Sequence, residues 1–390
     1  MNSARTRNRN LPIATHPSRT SGNDFGKSGR RGLQATGIAC ILAVTTAGGA
    51  QAVNRVGWVW ANQPDATSPY TPDTSYSYNS AGGTITVVPF GGGVYRVDFG
   101  GLYDGAPDDV QVSAYSTSGT CESADWNRSG KNTLSAYVYC TDANAVLTDS
   151  YFTLLYQSRS ARFGSANNGL AYLYADQPAV ASYTPLRARQ YNSTGGTNTI
   201  VRNSTGNYTA TLPGLTGLGG DAQVTPWSDA EGASGYRCNV GSWYRNTSGG
   251  TNVNISCFDP SGIPADFYYD LAYAIKEPFG LVNAATSRGA WAWANNDSST
   301  SVYTPSTTYQ YNGFGTGSLT AQETSLGNYT VTIPGRFAYA TSLVLVTAYS
   351  SGNNYCNVAG WQKTTVNVAC YSQGGTPVES QFDVTFQTFN

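Results

Sequence analysis

Two cysteines, a tryptophan, a base and an acid recur three times along this chain at nearly fixed spacing. Cys121 is followed by Trp126, Arg128, Cys140 and Asp149, at five, seven, nineteen and twenty-eight residues' distance. The same order returns as Cys238, Trp243, Arg245, Cys257 and Asp266. It returns again as Cys356, Trp361, Lys363, Cys370 and Glu379, with the two cysteines 14 positions apart instead of 19. An aromatic ring beside a base and an acid can hold a sugar, stacking on one face and hydrogen-bonding its hydroxyls. The competing reading is a strut, in which the base lies over the indole and pairs with the acid, stabilising little at a surface. Both readings put the three side chains of a copy in one cluster, and the strut is the better of the two.

Other chemistries are excluded by what the chain lacks. Its single histidine is His16 and its single methionine is Met1. Both fall in an N-terminal stretch expected to be removed, so Ser-His-Asp catalysis and histidine base chemistry are ruled out downstream. Two cysteines per copy in a secreted chain form, most simply, one disulfide per copy: Cys121–Cys140, Cys238–Cys257 and Cys356–Cys370. That leaves no thiol nucleophile, and the spacing without histidine does not suit a metal site. No cofactor is expected. Gly91-Gly92-Gly93 reads as a turn between strands, since no phosphate-binding lysine follows it. A glycosidase needs two carboxyls at close range, and only Glu122, Glu231, Glu277, Glu323 and Glu379 are glutamates. Asp104, Asp108 and Asp109 cluster in the first copy, where a solvated turn is a better reading than a calcium site.

The N-terminus reads as a leader. Arg30-Arg31 precedes an apolar run from Leu33 to Val44, and Ala50-Gln51-Ala52 supplies a small-residue cleavage site. The run is too short to span a bilayer, so residues 1–52 are expected to be a leader with a secretory signal peptide, cleaved near Ala52. Export by the general or the twin-arginine route stays open. Beyond Ala52 remain six cysteines, 15 basic and 22 acidic side chains, a net charge of −7. That sign argues against nucleic acid and anionic lipid as partners.

The rest of the chain repeats one pattern of about 110 residues. Tyr70-Thr71-Pro72 returns as Tyr183-Thr184-Pro185 and Tyr303-Thr304-Pro305. Upstream stand the aromatic pairs Trp58/Trp60, Tyr172/Tyr174 and Trp291/Trp293. Apolar residues between and after them (Val59 and Ala61 in the first copy) mark a strand buried on both faces rather than a sugar platform. Period-two alternation bounded by Gly, Asn, Ser and Pro turns predicts about eight short strands per copy, among them 76–78, 84–88, 94–99 and 110–115. The fold class is all-β, with three tandem domains over 53–158, 169–275 and 288–390. Each is a β-sandwich or, alternatively, a small closed barrel. Phe163-Gly164 and Phe279-Gly280 lie in the linkers, where each is expected to dock its linker on a neighbour.

Strung together, the aromatic-x-aromatic-Ala-Asn, Tyr-Thr-Pro, Tyr-Asn-Ser, Gly-Asn-Tyr-Thr and Cys-Asn-Val-x-x-Trp segments resemble repeat domains of secreted bacterial proteins with no assigned activity. The resemblance implies export and tandem organisation, and it carries over no catalytic residue.

The leading functional expectation is a secreted, non-enzymatic binding or adhesion protein, its repeats giving avidity toward a glycan or other cell-surface polymer. The alternatives are a self-associating structural or matrix protein and, last, a carboxylate-dependent hydrolase.

Overall fold

Alternating β-branched and aromatic residues cut by glycine and asparagine turns become strands in the computed structural model. It describes residues 54–159, 169–228, 235–276, 279, 287–315, 317–335 and 341–389. The first copy contributes β1 (Arg55–Ala61), β2 (Ser77–Asn79), β3 (Ile85–Pro89), β4 (Val94–Phe99), β5 (Asp109–Tyr115), β6 (Thr120–Ser129), β7 (Thr133–Thr141) and β8 (Tyr151–Ser158). The second contributes β9 (Gly169–Ala175), β10 (Ser182–Tyr183), β11 (Gln190–Asn192), β12 (Thr199–Ser204), β13 (Asn207–Pro213), β14 (Asp221–Pro226), β15 (Arg237–Asn246), β16 (Gly250–Phe258) and β17 (Tyr269–Ile275). The third contributes β18 (Ser287–Ala294), β19 (Gln310–Asn312), β20 (Thr320–Ser325), β21 (Asn328–Thr332), β22 (Thr341–Ala348), β23 (Tyr355–Trp361), β24 (Thr365–Tyr371) and β25 (Phe382–Phe389).

Each copy folds as two antiparallel sheets packed face to face, a sandwich and not a closed barrel. The first pairs an inner sheet, β2-β1-β8-β5, with an outer sheet, β3-β4-β7-β6. The second pairs β11-β9-β17-β14 with β10-β12-β13-β16-β15, and the third pairs β19-β18-β25-β22 with β23-β24-β21-β20, which is continuous with the first copy's inner sheet through β5 and β23. Outer strands alternate buried and half-exposed residues, as in β13 and β21, so one face meets the core and the other meets solvent. Inner strands such as β17 are buried throughout.

The disulfides form within the copies as expected, each joining residues directly opposite across the outer sheet: Cys121–Cys140, Cys238–Cys257 and Cys356–Cys370. Beside each lies a glycine that no other residue could replace without moving backbone. Gly93, Gly206 and Gly327 have φ of 76°, 71° and 70°. A Cβ there would stand 2.3–2.7 Å from the carbonyl oxygen of Cys140, Cys257 or Cys370. The chain turns left-handed and passes hard against the bridged strand, which only glycine permits.

Three apolar clusters fill the three sandwiches. A fourth is shared: Val56, Trp58 and Leu155 of the first copy meet Leu170, Tyr172, Ala272 and Ala274 of the second and Leu343 and Leu345 of the third. The strand buried on both faces is therefore real, with Val59 and Ala61 facing their own sandwich and Trp58 facing the other copies. Phe279 of the second linker is fully buried in this shared cluster. Phe163 and Gly164 lie outside the described residues, as does Gly280.

The copies close into a ring. Val240 in β15 makes one parallel bridge to Tyr349 of the third copy, Val358 in β23 makes one to Tyr115 of the first, and Ser123 in β6 makes one to Trp227 of the second. Each bridge carries an equivalent backbone hydrogen bond, to Ser123 O from Ser228 N (2.8 Å), to Val240 O from Ser350 N (2.9 Å) and to Val358 O from Ser116 N (2.7 Å). A second set runs through side-chain hydroxyls. Thr225 Oγ1 accepts from Val112 N at 2.9 Å, Thr347 Oγ1 from Val224 N at 3.1 Å and Ser113 Oγ from Val346 N at 3.0 Å. Thr225 and Thr347 donate in turn to Gln111 and Gln223. Where the third copy has Leu345 in that place, Ser113 donates to the Val346 carbonyl instead. First joins second, second joins third, and third joins first.

Candidate functional site

Cys and Trp five residues apart on a regular strand would point to opposite faces. A bulge lies between them in every copy, after Ser123, Val240 and Val358. The inserted residue restores the phase, so Trp126 and Trp243 share the core face with Cys121 and Cys238. Each tryptophan is thereby set into the aromatic cluster of the next copy. Trp126 meets Tyr174, Trp243 meets Trp293, Tyr309 and Tyr349, and Trp361 meets Trp60, Tyr76 and Tyr115. Most of these contacts are edge-to-face, the arrangement the ring quadrupoles favour. The tryptophans are keystones of the ring junctions.

The structure does not bring the three expected partners together. Arg128 is exposed and its Nε donates to Gly130 O, while Arg245 and Lys363 are exposed. Asp149 Oδ1 instead accepts from Gly93 N at 2.6 Å and from the Tyr95 hydroxyl at 3.4 Å. Asp266 accepts from Gly206 N and Tyr208 in the same way, and pairs with Arg202 at 2.8 Å. Glu379 is exposed, and in the third copy Glu323 caps the equivalent Gly327. The acids therefore hold the tight glycine turns.

The junction between the first and second copies departs from the other two. Arg189 stands where they have Tyr76 and Tyr309, its guanidinium over the Trp126 ring. Asp108 accepts from Trp126 Nε1 at 2.8 Å and pairs with Arg189 at 3.3 Å. Ser342 takes that place in the third copy and accepts from Trp361 Nε1. At Gly220 no side chain is available, and Trp243 Nε1 has no partner. Similarly, Asn239 and Asn357 each donate to two carbonyls of the following copy. The first copy has Glu122, which accepts from the Gly235 and Tyr236 amides.

Asp108 and Asp109 are thus not in a solvated turn but buried and hydrogen-bonded, Asp109 to Gln111 and Gln157. Burial pushes these carboxyls up, Asp108 to about 6, Asp109 to about 7 and Glu122 to about 8, and it raises Asp221 as well. Asp270 and Asp383, also buried, move well above the usual range. Water solvates the carboxylate form better than the interior does, so the neutral acid is favoured there. Among the described residues no group of three or more His, Cys, Asp or Glu side chains is placed to hold a metal.

Two surfaces gather polar side chains from several strands. On the ring axis a small cavity of about 50 Å³ is lined by residues from all three copies. Each copy contributes the residue just before its first cysteine: Thr120, Arg237 and Tyr355. The outer sheets offer the second surface. On that of the second copy, Thr209 bonds Asn254 (2.8 Å), Asn254 bonds Ser242 (2.8 Å), Thr211 bonds Asn252 (3.1 Å) and Asn252 bonds the exposed Tyr244 (3.2 Å). The third copy repeats the motif with Thr330 and Asn367, beside an open groove of about 520 Å³. On the first, Phe90 stacks with Tyr137 beside the Arg96–Asp98 pair. Neither surface was legible from the Cys–Trp spacing. Their signals are the divergence at the position before each first cysteine, and the Thr-x-Thr and Asn-x-Asn runs of β13 and β16.

A scan against protein-family models matches none, and a search of curated proteins finds no match. No helix among the described residues is long and apolar enough to cross a membrane.

Proposed function

We propose that the ring is a secreted, non-enzymatic binding head that engages a glycan or similar hydroxyl-rich surface polymer through the solvent faces of its outer sheets. The observation that carries this reading is the ladder of Thr209, Thr211, Ser242, Asn252 and Asn254 ending on Tyr244. Cross-strand bonds hold its amides and hydroxyls in place, so little ordering entropy opposes binding. The ladder is uncharged and both donates and accepts, as sugar hydroxyls do, and the phenol offers a face for stacking. Three outer sheets on one ring allow repeated contact with a polymer, multiplying a weak affinity. Disulfides in all three copies fit an oxidising compartment. A glycan array tests this: binding should weaken at least tenfold in Tyr244→Ala and in Asn252→Ala/Asn254→Ala, and stay unchanged in Arg128→Ala. Loss of none of the array signal in these variants, with the fold intact, contradicts the assignment.

A further inference from the structure

One set of side chains is built twice, where the first copy meets the second and where the second meets the third. Thr225 Oγ1 of the second copy donates to Gln111 Oε1 of the first at 2.9 Å. Thr347 Oγ1 of the third donates to Gln223 Oε1 of the second, also at 2.9 Å. A carboxyl turns each amide toward its hydroxyl: Gln111 Nε2 donates to Asp109 Oδ1 at 3.0 Å and Gln223 Nε2 to Asp221 Oδ1 at 3.2 Å. A second acid stands directly across the sheet from each hydroxyl, Asp270 opposite Thr225 and Asp383 opposite Thr347. Residues so paired have Cβ atoms about 4.5–5.5 Å apart, within reach of each other's side chains. All eight side chains are buried.

The third junction lacks the whole set. Leu343 and Leu345 stand in the places of the first acid and the glutamine, and Thr153 opposes Ser113 where the other copies have an acid. There Ser113 donates to the Val346 carbonyl. A hydroxyl alone can therefore tie a junction, and a threonine–glutamine hydrogen bond needs no acids. Burying a carboxyl without full pairing is costly. Yet among the described residues Asp270 Oδ1 and both oxygens of Asp383 have no hydrogen-bond partner. The two acids of each set feel each other's charge, Asp109 with Asp270 and Asp221 with Asp383. Carboxyls that close in a dry site hold one proton between them.

A hydroxyl against an amide carbonyl, with a base on the hydroxyl side and an acid on the nitrogen, is equipped for acyl transfer. We propose that Thr225 and Gln111, and likewise Thr347 and Gln223, react once to form ester cross-links between neighbouring copies. Asp270 or Asp383, as the carboxylate, takes the hydroxyl proton while Oγ1 attacks Cδ of the glutamine. Asp109 or Asp221 gives its proton to Nε2 as the Cδ–Nε2 bond breaks, and the Oγ1–Cδ bond remains. One proton is received and one given, and each junction yields an ester and an ammonia. The third-to-first junction is left to hydrogen bonds. The links are independent of what the outer sheets bind.

Mass spectrometry of the digested, reduced full chain tests this. The peptide holding Gln111 should be joined to that holding Thr225, about 17 Da below their summed mass for the ammonia lost. Gln223 and Thr347 should be joined likewise. Dilute alkali, which hydrolyses esters faster than amides, should separate both pairs and leave each glutamine as a glutamate. Gln111→Leu, which copies the third junction, should abolish the first link and keep the second, whose presence reports that the ring has folded. Asp270→Asn should leave Gln111 and Thr225 unlinked in the same way. Separate peptides of full mass at both junctions of the unsubstituted protein overturn the proposal. So does ammonia loss confined to other residues, or a first link that survives Gln111→Leu.

Discussion

The guanidinium of Arg189 lies 4.3 Å from the centroid of the Trp126 ring, joining the second copy to the first. Its Nη2 also donates to the Trp126 carbonyl at 3.0 Å, and its Nη1 reaches the carboxylate that holds the indole N–H. The other two junctions do the same work with neutral rings, Tyr76 and Tyr309.

Breaking this arrangement from either side should destabilise the ring. Trp126→Ala removes a fully buried indole and should cost about 3–5 kcal/mol in urea denaturation. Arg189→Ala leaves Asp108 buried without its cation and should cost about 3–5 kcal/mol. The paired change Arg189→Tyr with Asp108→Ser copies the third junction and should recover most of that loss. If Arg189→Ala alone proves neutral, the ion pair has no role in joining the copies.

Stability should fall as pH rises. Asp108, Asp109 and Glu122 are pushed by burial to about 6, 7 and 8 in the folded protein, and Asp221 is raised too, above the roughly 4 of an unfolded carboxyl. Their contribution is complete below pH 4 and is lost as pH climbs through these values, because the folded state must then give up protons or bury charge. Melting temperatures at pH 5, 7 and 9 should decline in that order, and Glu122→Gln should flatten the upper part of the curve. A melting temperature that climbs from pH 5 to 9 contradicts the burial of these acids.

Each disulfide closes a hairpin in an outer sheet. Replacing Cys238 and Cys257 by alanine should cost about 3 kcal/mol, the loop-entropy value for a closure of this length. Mass mapping of the unreduced protein should recover Cys121–Cys140, Cys238–Cys257 and Cys356–Cys370. A bridge joining two copies would be incompatible with the opposed cysteines of these hairpins.

Local features were legible in the sequence because local physics determines them. Strand β4 falls on residues 94–99 as the alternation predicts, and the cysteine pairs follow from two per copy. The ring was not, because Ser113, Thr225 and Thr347 look like ordinary strand residues, and it is their hydroxyls that bond to another copy. Asp149 was misread for a related reason. Its partner is the Gly93 amide 56 residues away, and a backbone donor leaves no mark on residue type. The odd five-residue step from Cys121 to Trp126 did hold a clue, since without a bulge it puts the two on opposite faces.

The ring itself is tested most directly by small-angle X-ray scattering on the chain from Val53 to Asn390. A closed ring of that length should give a radius of gyration of about 20 Å, the value for one compact body of its size. Three sandwiches strung in a line, each about 13 Å in radius of gyration, would give roughly 30 Å or more. The first result is expected here, with Val358 held against Tyr115; the second would mean that the third copy does not meet the first.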